Sequence, residues 1–310
     1  RVVAGGGPGW TQARLPHAAR AAGIDVYFSP IPVLPMLLRM PCPCVVTVHD
    51  LLEFRDRWWY FSRLIGRTLE RSAGVICVSE ATAAEVRDAF PSAGEQLRVV
   101  REAADASVFH QSPDPAGARD ELFSRLGIDS PPILAVGTIQ PRKNYARLIE
   151  AYARATADRP GSPPLVIVGR RGWEYEDVLQ SPGRFGVEGR VVFAGQLEDV
   201  EVGILMRSSL MLAAVSTAEG FGLPLVEAMY SGLPALASDI PPFREVAGNA
   251  ARFVNPLSTA DIEAGLRVLL DNVAARRELA LAGEGRRQLF SWDRASADVC
   301  SILWDGLTRI

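Results

Sequence analysis

The chain alternates between short apolar runs and longer segments in which apolar residues recur at helical spacing. After residue 132 the rhythm is strong. Apolar runs at 133–136, 165–168, 191–194, 210–215, 235–237 and 252–254 read as strands, with helical patterns between most of them. Strands that alternate with helices in this way imply an α/β doubly wound parallel sheet. The first half follows the same rhythm less regularly. Residues 2–4 fit a short strand followed by a glycine-rich loop at 5–9, and residues 11–22 a helix. Strands are expected at 25–28, 45–48, 74–79 and 97–100. Ser79 is placed to cap a helix over 80–90, because a hydroxyl there can accept from an amide of the first turn. The aromatic and basic stretch 56–72 reads as an amphipathic helix with its aromatics in the core; a surface for an acceptor or a membrane is the alternative. The polar segment 105–120, with Pro113 and Pro115, reads as a linker. Ser291-Trp292-Asp293 opens a last helix over 294–307.

The bulk numbers narrow this picture. A length of 310 residues suits two α/β domains, and 48% hydrophobic residues with 22% charged allow a sizeable core. A net charge of -3 argues against a general nucleic-acid binder. Cys42, Cys44, Cys77 and Cys300 make neither a zinc spacing nor a Cys-x-x-Cys pair, which points to a reducing, cytoplasmic setting. No apolar run approaches the ~20 residues of a membrane span. The chain begins at Arg1 rather than at a methionine, which leaves targeting unread.

Candidate chemistry gathers where strands end. Residues 217–228 read TAEGFGLPLVEA. They follow the apolar run 210–215 and lead into a helix, with Pro224 expected at its first position. Gly220 and Gly222 permit tight turns and close approach of a ligand. A fresh helix N-terminus offers free N–H groups to a phosphate, and a carboxylate such as Glu227 can accept two hydrogen bonds from a vicinal diol. Taken alone, Glu219 and Glu227 are equally compatible with ordinary helix-start acids. Arg142 and Lys143 end the first βα turn of the second half. There they either neutralise a diphosphate or form a solvated basic pair. His49 follows the strand 45–48, on the edge where ligands of parallel sheets gather, and a structural histidine is the competing reading.

The string Glu219, Gly220, Phe221, Gly222, Leu223, Pro224, Glu227, Ala228 resembles the signature of the retaining nucleotide-sugar glycosyltransferases called group 1 or family 4. Two glutamates with seven residues between them bracket its Gly-Phe-Gly-Leu-Pro core. Pro-Arg-Lys-Asn at 141–144 is similar to that family's phosphate-binding turn, and Val-His-Asp-Leu at 48–51 to its sugar-side strand end. The likeness covers nearly all of residues 10–308 and is densest from 132 to 256. It implies the GT-B fold: two Rossmann-like domains with parallel sheets facing across a cleft. A partial N-terminal acceptor-side domain is expected at 1–112, with no counterpart of the family's opening strand and glycine loop. A nucleotide-sugar domain is expected at 113–290, and a final helix crossing back at 291–310. Glu102-Ala103-Ala104-Asp105 stands where the family often carries Asn-Gly before the aspartate.

The resemblance also implies roles. Glu219 orients the donor sugar and His49 approaches it as catalytic residues. Arg142, Lys143, Gly220, Phe221, Gly222, Leu223 and Glu227 bind the donor, with Glu227 on the ribose. Gln196 and Leu197 are expected beside the base. No metal or other cofactor is expected. The partners implied are a nucleotide-diphosphate sugar, weakly GDP-mannose, and a saccharide or lipid-linked acceptor. Contact with the inner face of a membrane is compatible with such an acceptor. A nucleotide-sugar epimerase on the same fold, or a non-catalytic nucleotide-binding fragment, are the alternatives.

Overall fold

Two parallel sheets carry the secondary structure, in a computed structural model that describes residues 10–35, 38–51, 58–110, 114 and 116–308. The expected strand at 2–4, the loop at 5–9, Arg55, Arg57, Pro113 and Pro115 lie outside the described residues, as do the side chains of the aromatic run at 58–61.

The first sheet has the order β1 (Tyr27–Ser29), β2 (Cys44–Val48), β3 (Gly74–Cys77), β4 (Leu97–Val99). Its helices are α1 (Leu15–Ala22), α2 (Trp58–Glu70) and α3 (Glu80–Ala89). The first turn of the helix expected at 11–22 is a π-helical segment, Trp10–Arg14. β2 and β3 are buried on both faces, which is why they read as continuous apolar runs. Val46, Val48, Val75 and Cys77 share a core with Ile65 and Leu69 of α2 and Ala83 and Val86 of α3. Ile65, Thr68 and Leu69 are buried while Arg63 and Arg67 are exposed, the pattern of an amphipathic core helix. The opposite face, Val45 and Ile76, packs on Ala295, Val299, Ile302 and Leu303. The cap on α3 is made as read: Thr82 N donates to Ser79 Oγ at 2.9 Å.

The second sheet uses β5 (Ile133–Val136), β6 (Leu165–Val168), β7 (Val191–Gly195), β8 (Met211–Ala214), β9 (Ala235–Ser238) and β10 (Ala251–Val254). Their spatial order is β10-β9-β8-β5-β6-β7, all parallel. The helices around it are α4 (Ala106–Phe109), α5 (Ala118–Leu126), α6 (Tyr145–Ala155), α7 (Glu176–Arg184), α8 (Asp199–Ser208), α9 (Leu223–Tyr230), α10 (Pro241–Ala247), α11 (Thr259–Asp271) and α12 (Val273–Arg286). α13 (Trp292–Thr308) closes the chain and packs on the first sheet, where its Val299, Ile302 and Leu303 lie. The central core joins Ile133, Ala135, Ile167 and Ala213 to Leu148, Ile149 and Tyr152 of α6 and Ile262 and Leu266 of α11.

The compact units are residues 1–102 with 292–310, and residues 103–291. The division therefore falls ten residues before the expected 112/113. The reason is α4, inside the segment read as linker. Arg207 Nη1 of α8 donates to Val108 O at 2.5 Å, and Ser231 Oγ donates to Phe109 O at 3.0 Å. Those bonds bind the segment to the second unit.

Candidate active site

The strand order of the second sheet reverses between β5 and β8. In open parallel sheets, ligands bind outside the carboxyl ends of the strands at such a switch point. The two loops that leave this point are 137–144 after β5 and 215–222 after β8. They carry most of the expected residues.

Gly137 begins the first loop at φ 144°. A Cβ there would stand 2.8 Å from Lys143 Cε and 3.1 Å from the Tyr145 hydroxyl, so a glycine is what lets the Lys143 chain lie across the strand end. Arg142 and Lys143 form one 3₁₀ turn after Gln140. Asn144 then takes the left-handed conformation, φ 61°, which asparagine tolerates better than most residues. Its buried amide donates to Val215 O at 3.0 Å and to Pro256 O at 2.7 Å. Thr217 N donates to Arg142 O at 2.8 Å. These bonds weld the β5 loop to the β8 loop and fix where both cations point.

They converge on Glu219. Arg142 Nη1 donates to Glu219 Oε2 at 2.5 Å, and Lys143 Nζ donates to Glu219 Oε1 at 2.5 Å. Ser216 Oγ donates to the same Oε1 at 2.7 Å. Only 10% of the Glu219 side chain is exposed. Burial pushes its pKa up, but Lys143, Arg142 and the Ser216 hydroxyl outweigh that, and the carboxyl titrates below its ordinary range. The cluster holds two formal positive charges against one negative, leaving an excess of positive charge in a low-exposure site. That suits a diphosphate.

Gly222 takes φ 115° and caps α9, and a Cβ there would meet the Phe243 ring at 2.8 Å. Leu223 is the first helical residue, so Pro224 sits one position later than expected. Glu227 lies one turn in and is partly buried. Desolvation, reinforced by Asp199, raises its pKa to about 7, with Lys143 opposing. Asp199 begins α8, just past the exposed Gln196 and the partly buried Leu197 that follow β7. Nothing local in the sequence links residue 199 to residue 227. Phe221 is 4% exposed, and its ring meets Phe290 edge-on at 5.9 Å. The ring is thus packed inside the unit and is not open to a ligand. Gly220 is buried, and Leu223 half-buried.

His49 belongs to the first unit, immediately after β2, with its side chain 50% exposed. Its ring lies 3.1 Å from Glu102 Oε1 through Nδ1 and 3.0 Å from Pro30 O through Nε2. Sequence reading placed His49 at a strand end but left Glu102, 53 positions on, without a role.

Cys44 and Cys77 are buried, and desolvation pushes both thiols up to about 12, so neither is a nucleophile at neutral pH. Among the described residues no helix is long and apolar enough to cross a membrane.

Residues 118–286 match the family described as Glycosyl transferases group 1, and residues 5–108 match Glycosyltransferase Family 4. O-antigen chain mannosyltransferase B of Escherichia coli is 26% identical over 278 residues, spanning 87% of this chain and 72% of that protein. The MMP alpha-(1->4)-mannosyltransferase of Mycolicibacterium hassiacum is 27% identical over 295 residues, spanning 88% and 68%. Against the serotype-specific mannosyltransferase WbdA of Escherichia coli, 26% identical, the chain spans about a third of the relative's length, 34%. Among solved structures, sucrose-phosphate synthase from Thermosynechococcus elongatus superimposes with a TM-score of 0.78 at 21% identity, covering 94% of this chain and 77% of that one. HepE of Anabaena in complex with UDP gives 0.76 at 21%, covering 93% and 80%. These likenesses establish the shared fold.

Proposed function

The chain belongs to the group 1 glycosyltransferases, with the two parallel sheets of a GT-B enzyme, and on that premise we propose that it moves mannose from GDP-mannose, with retention, onto a saccharide or lipid-linked saccharide. The observation that carries the reading is the convergence of Arg142 and Lys143 at the switch point of the second sheet, held there by Glu219. The relatives named as mannosyltransferases support the sugar, and the Pro-Arg-Lys-Asn turn leans toward GDP.

In this reading the diphosphate lies against Arg142, Lys143 and the amides at the start of α9. The two cations stabilise the charge that grows on the departing phosphate. Glu227 receives the ribose diol. Glu219 turns one carboxylate oxygen to the sugar hydroxyls once the diphosphate has taken over its cations. His49 serves the transferred sugar. The bond from the anomeric carbon to the phosphate oxygen breaks as the acceptor oxygen adds on the same face. The acceptor's proton passes to the leaving phosphate, so no carboxylate nucleophile is required.

Thermal unfolding with GDP, UDP or ADP tests the donor site. A ligand at 100 times its Kd adds about 2.7 kcal/mol. A shift selective for GDP and much reduced in Lys143→Ala is expected, followed by mannosyl transfer from GDP-mannose to an oligosaccharide panel. A shift with UDP alone would replace the donor. Nucleotide binding without turnover on any acceptor would favour a non-catalytic module, and product epimerised without acceptor would favour an epimerase.

A further inference from the structure

Both ring nitrogens of His49 face acceptors. Nδ1 faces a carboxylate, Glu102 Oε1 at 3.1 Å, and Nε2 faces a peptide carbonyl, Pro30 O at 3.0 Å. A carboxylate and a carbonyl only accept hydrogen bonds. A neutral imidazole would have to point a lone pair at one of them, so the ring satisfies both only by carrying a proton on each nitrogen. We infer that Glu102 is a positioning residue that holds His49 as an imidazolium, so that His49 serves transfer as a cation and hydrogen-bond donor and not as the base that takes the acceptor's proton. This rests on the proposed role of His49 in transfer and deepens it: the proton must leave by another route, and the departing phosphate supplies one.

The surroundings agree. Glu102 arrives from the segment after β4 and Pro30 from the end of β1. From α3 the neutral hydroxyl of Thr82 reaches the His49 backbone oxygen at 3.5 Å. Asp50, next in the chain, adds a second negative charge. The hydrogen bond to Glu102 raises the His49 pKa above its ordinary 6.5; desolvation opposes this, while the Glu102 charge, the Pro30 carbonyl and Asp50 add to it. Without Glu102, burial works against the charged ring with much less to resist it.

The chain has three histidines, His17, His49 and His110. Long-range ¹H–¹⁵N NMR of the whole protein, with His49→Asn for assignment, follows each ring across pH. His49 is expected doubly protonated at pH 7. Its midpoint should fall in Glu102→Gln, with an otherwise unchanged amide spectrum reporting an intact fold. In transfer assays the alkaline limb of kcat should move to lower pH in Glu102→Gln together with the NMR midpoint. A single neutral tautomer of His49 at pH 7, or a midpoint indifferent to Glu102→Gln, overturns the pair. A displaced midpoint with an unmoved kcat profile overturns its part in transfer. The NMR titration needs no substrate, so absence of transfer with every donor counts against the proposed function alone.

Discussion

Glu219 and Glu227 leave one strand–turn–helix unit with seven residues between them, and both are largely withdrawn from water. Their chemistry is opposite. Glu219 titrates below the ordinary carboxylate value because two cations and a hydroxyl meet it. Glu227 hovers at about 7 because desolvation and Asp199 outweigh the help of Lys143. Burial pushes both in the same direction, so the partners decide. The deciding charges come from elsewhere in the chain, the β5 loop for one and the start of α8 for the other. A motif with two similar letters thus encodes two unlike groups: a fixed anion that positions charge, and a carboxyl that titrates in the working range.

The sharpest way to separate them is Glu219→Gln. Transfer should fall about a thousandfold, the scale of losing one electrostatic group at a reacting centre. GDP should bind at least as tightly as before, since the variant frees Arg142 and Lys143 from their carboxylate. Steady-state kinetics and titration calorimetry read the two effects independently. Joint loss of transfer and GDP affinity would make Glu219 a scaffold for the cations and nothing more. Lys143→Ala is the converse change. It should weaken GDP by about thirtyfold, or about 2 kcal/mol, the worth of a hydrogen bond to a charged group. Unchanged GDP affinity in that variant would move the diphosphate away from this loop.

Glu227 offers a pH test of the same contrast. A carboxyl whose folded pKa is raised from 4.5 to about 7 holds its proton longer in the folded state. Stability is therefore lost as pH rises from about 4.5 to about 7, where the unfolded chain has already released the proton. Glu227→Gln removes that loss. Urea unfolding should find the variant more stable than the wild type at pH 8, by about 2 kcal/mol once partial exposure is allowed for, and no different at pH 4. The wild type's GDP affinity should rise between pH 6 and pH 8 as the carboxylate that accepts a ribose diol forms, and that rise should vanish in the variant. A flat stability difference across this range would show that folding leaves the Glu227 pKa where it stands in the unfolded chain.

Much of this was legible in the chain. The strands 133–136 and 165–168 coincide with the observed ones, because an apolar run buried on both faces has sharp ends. α4 lies inside the segment whose composition reads as linker, because four residues carry no helical periodicity; the local signal is Asp105, which caps it by accepting from Ser107 N at 2.9 Å. Only the family resemblance implies a diphosphate for Arg142 and Lys143 and a sugar for Glu219. The sequence holds no hint that the three form one cluster across 76 and 77 positions. The link from His49 to Glu102, and that from Asp199 to Glu227, were hidden for the same reason: each is made by tertiary packing alone.

Phe221 gives the smallest and most discriminating effect, since it stands between the two glutamates and was expected to bind donor. Its ring is buried, and Phe290 meets it edge-on at 74°. Tyr230 Oη donates to Phe290 O at 2.6 Å and holds that partner in place. Phe221→Leu keeps the apolar volume roughly and removes the ring pair, which is worth about 1 kcal/mol. Unfolding should register that loss while GDP affinity stays within about twofold, because the ring is packed against Phe290 and withdrawn from the surface. A drop in affinity with stability unchanged would turn the ring toward the donor and make the turn between the glutamates a binding surface rather than an anchor.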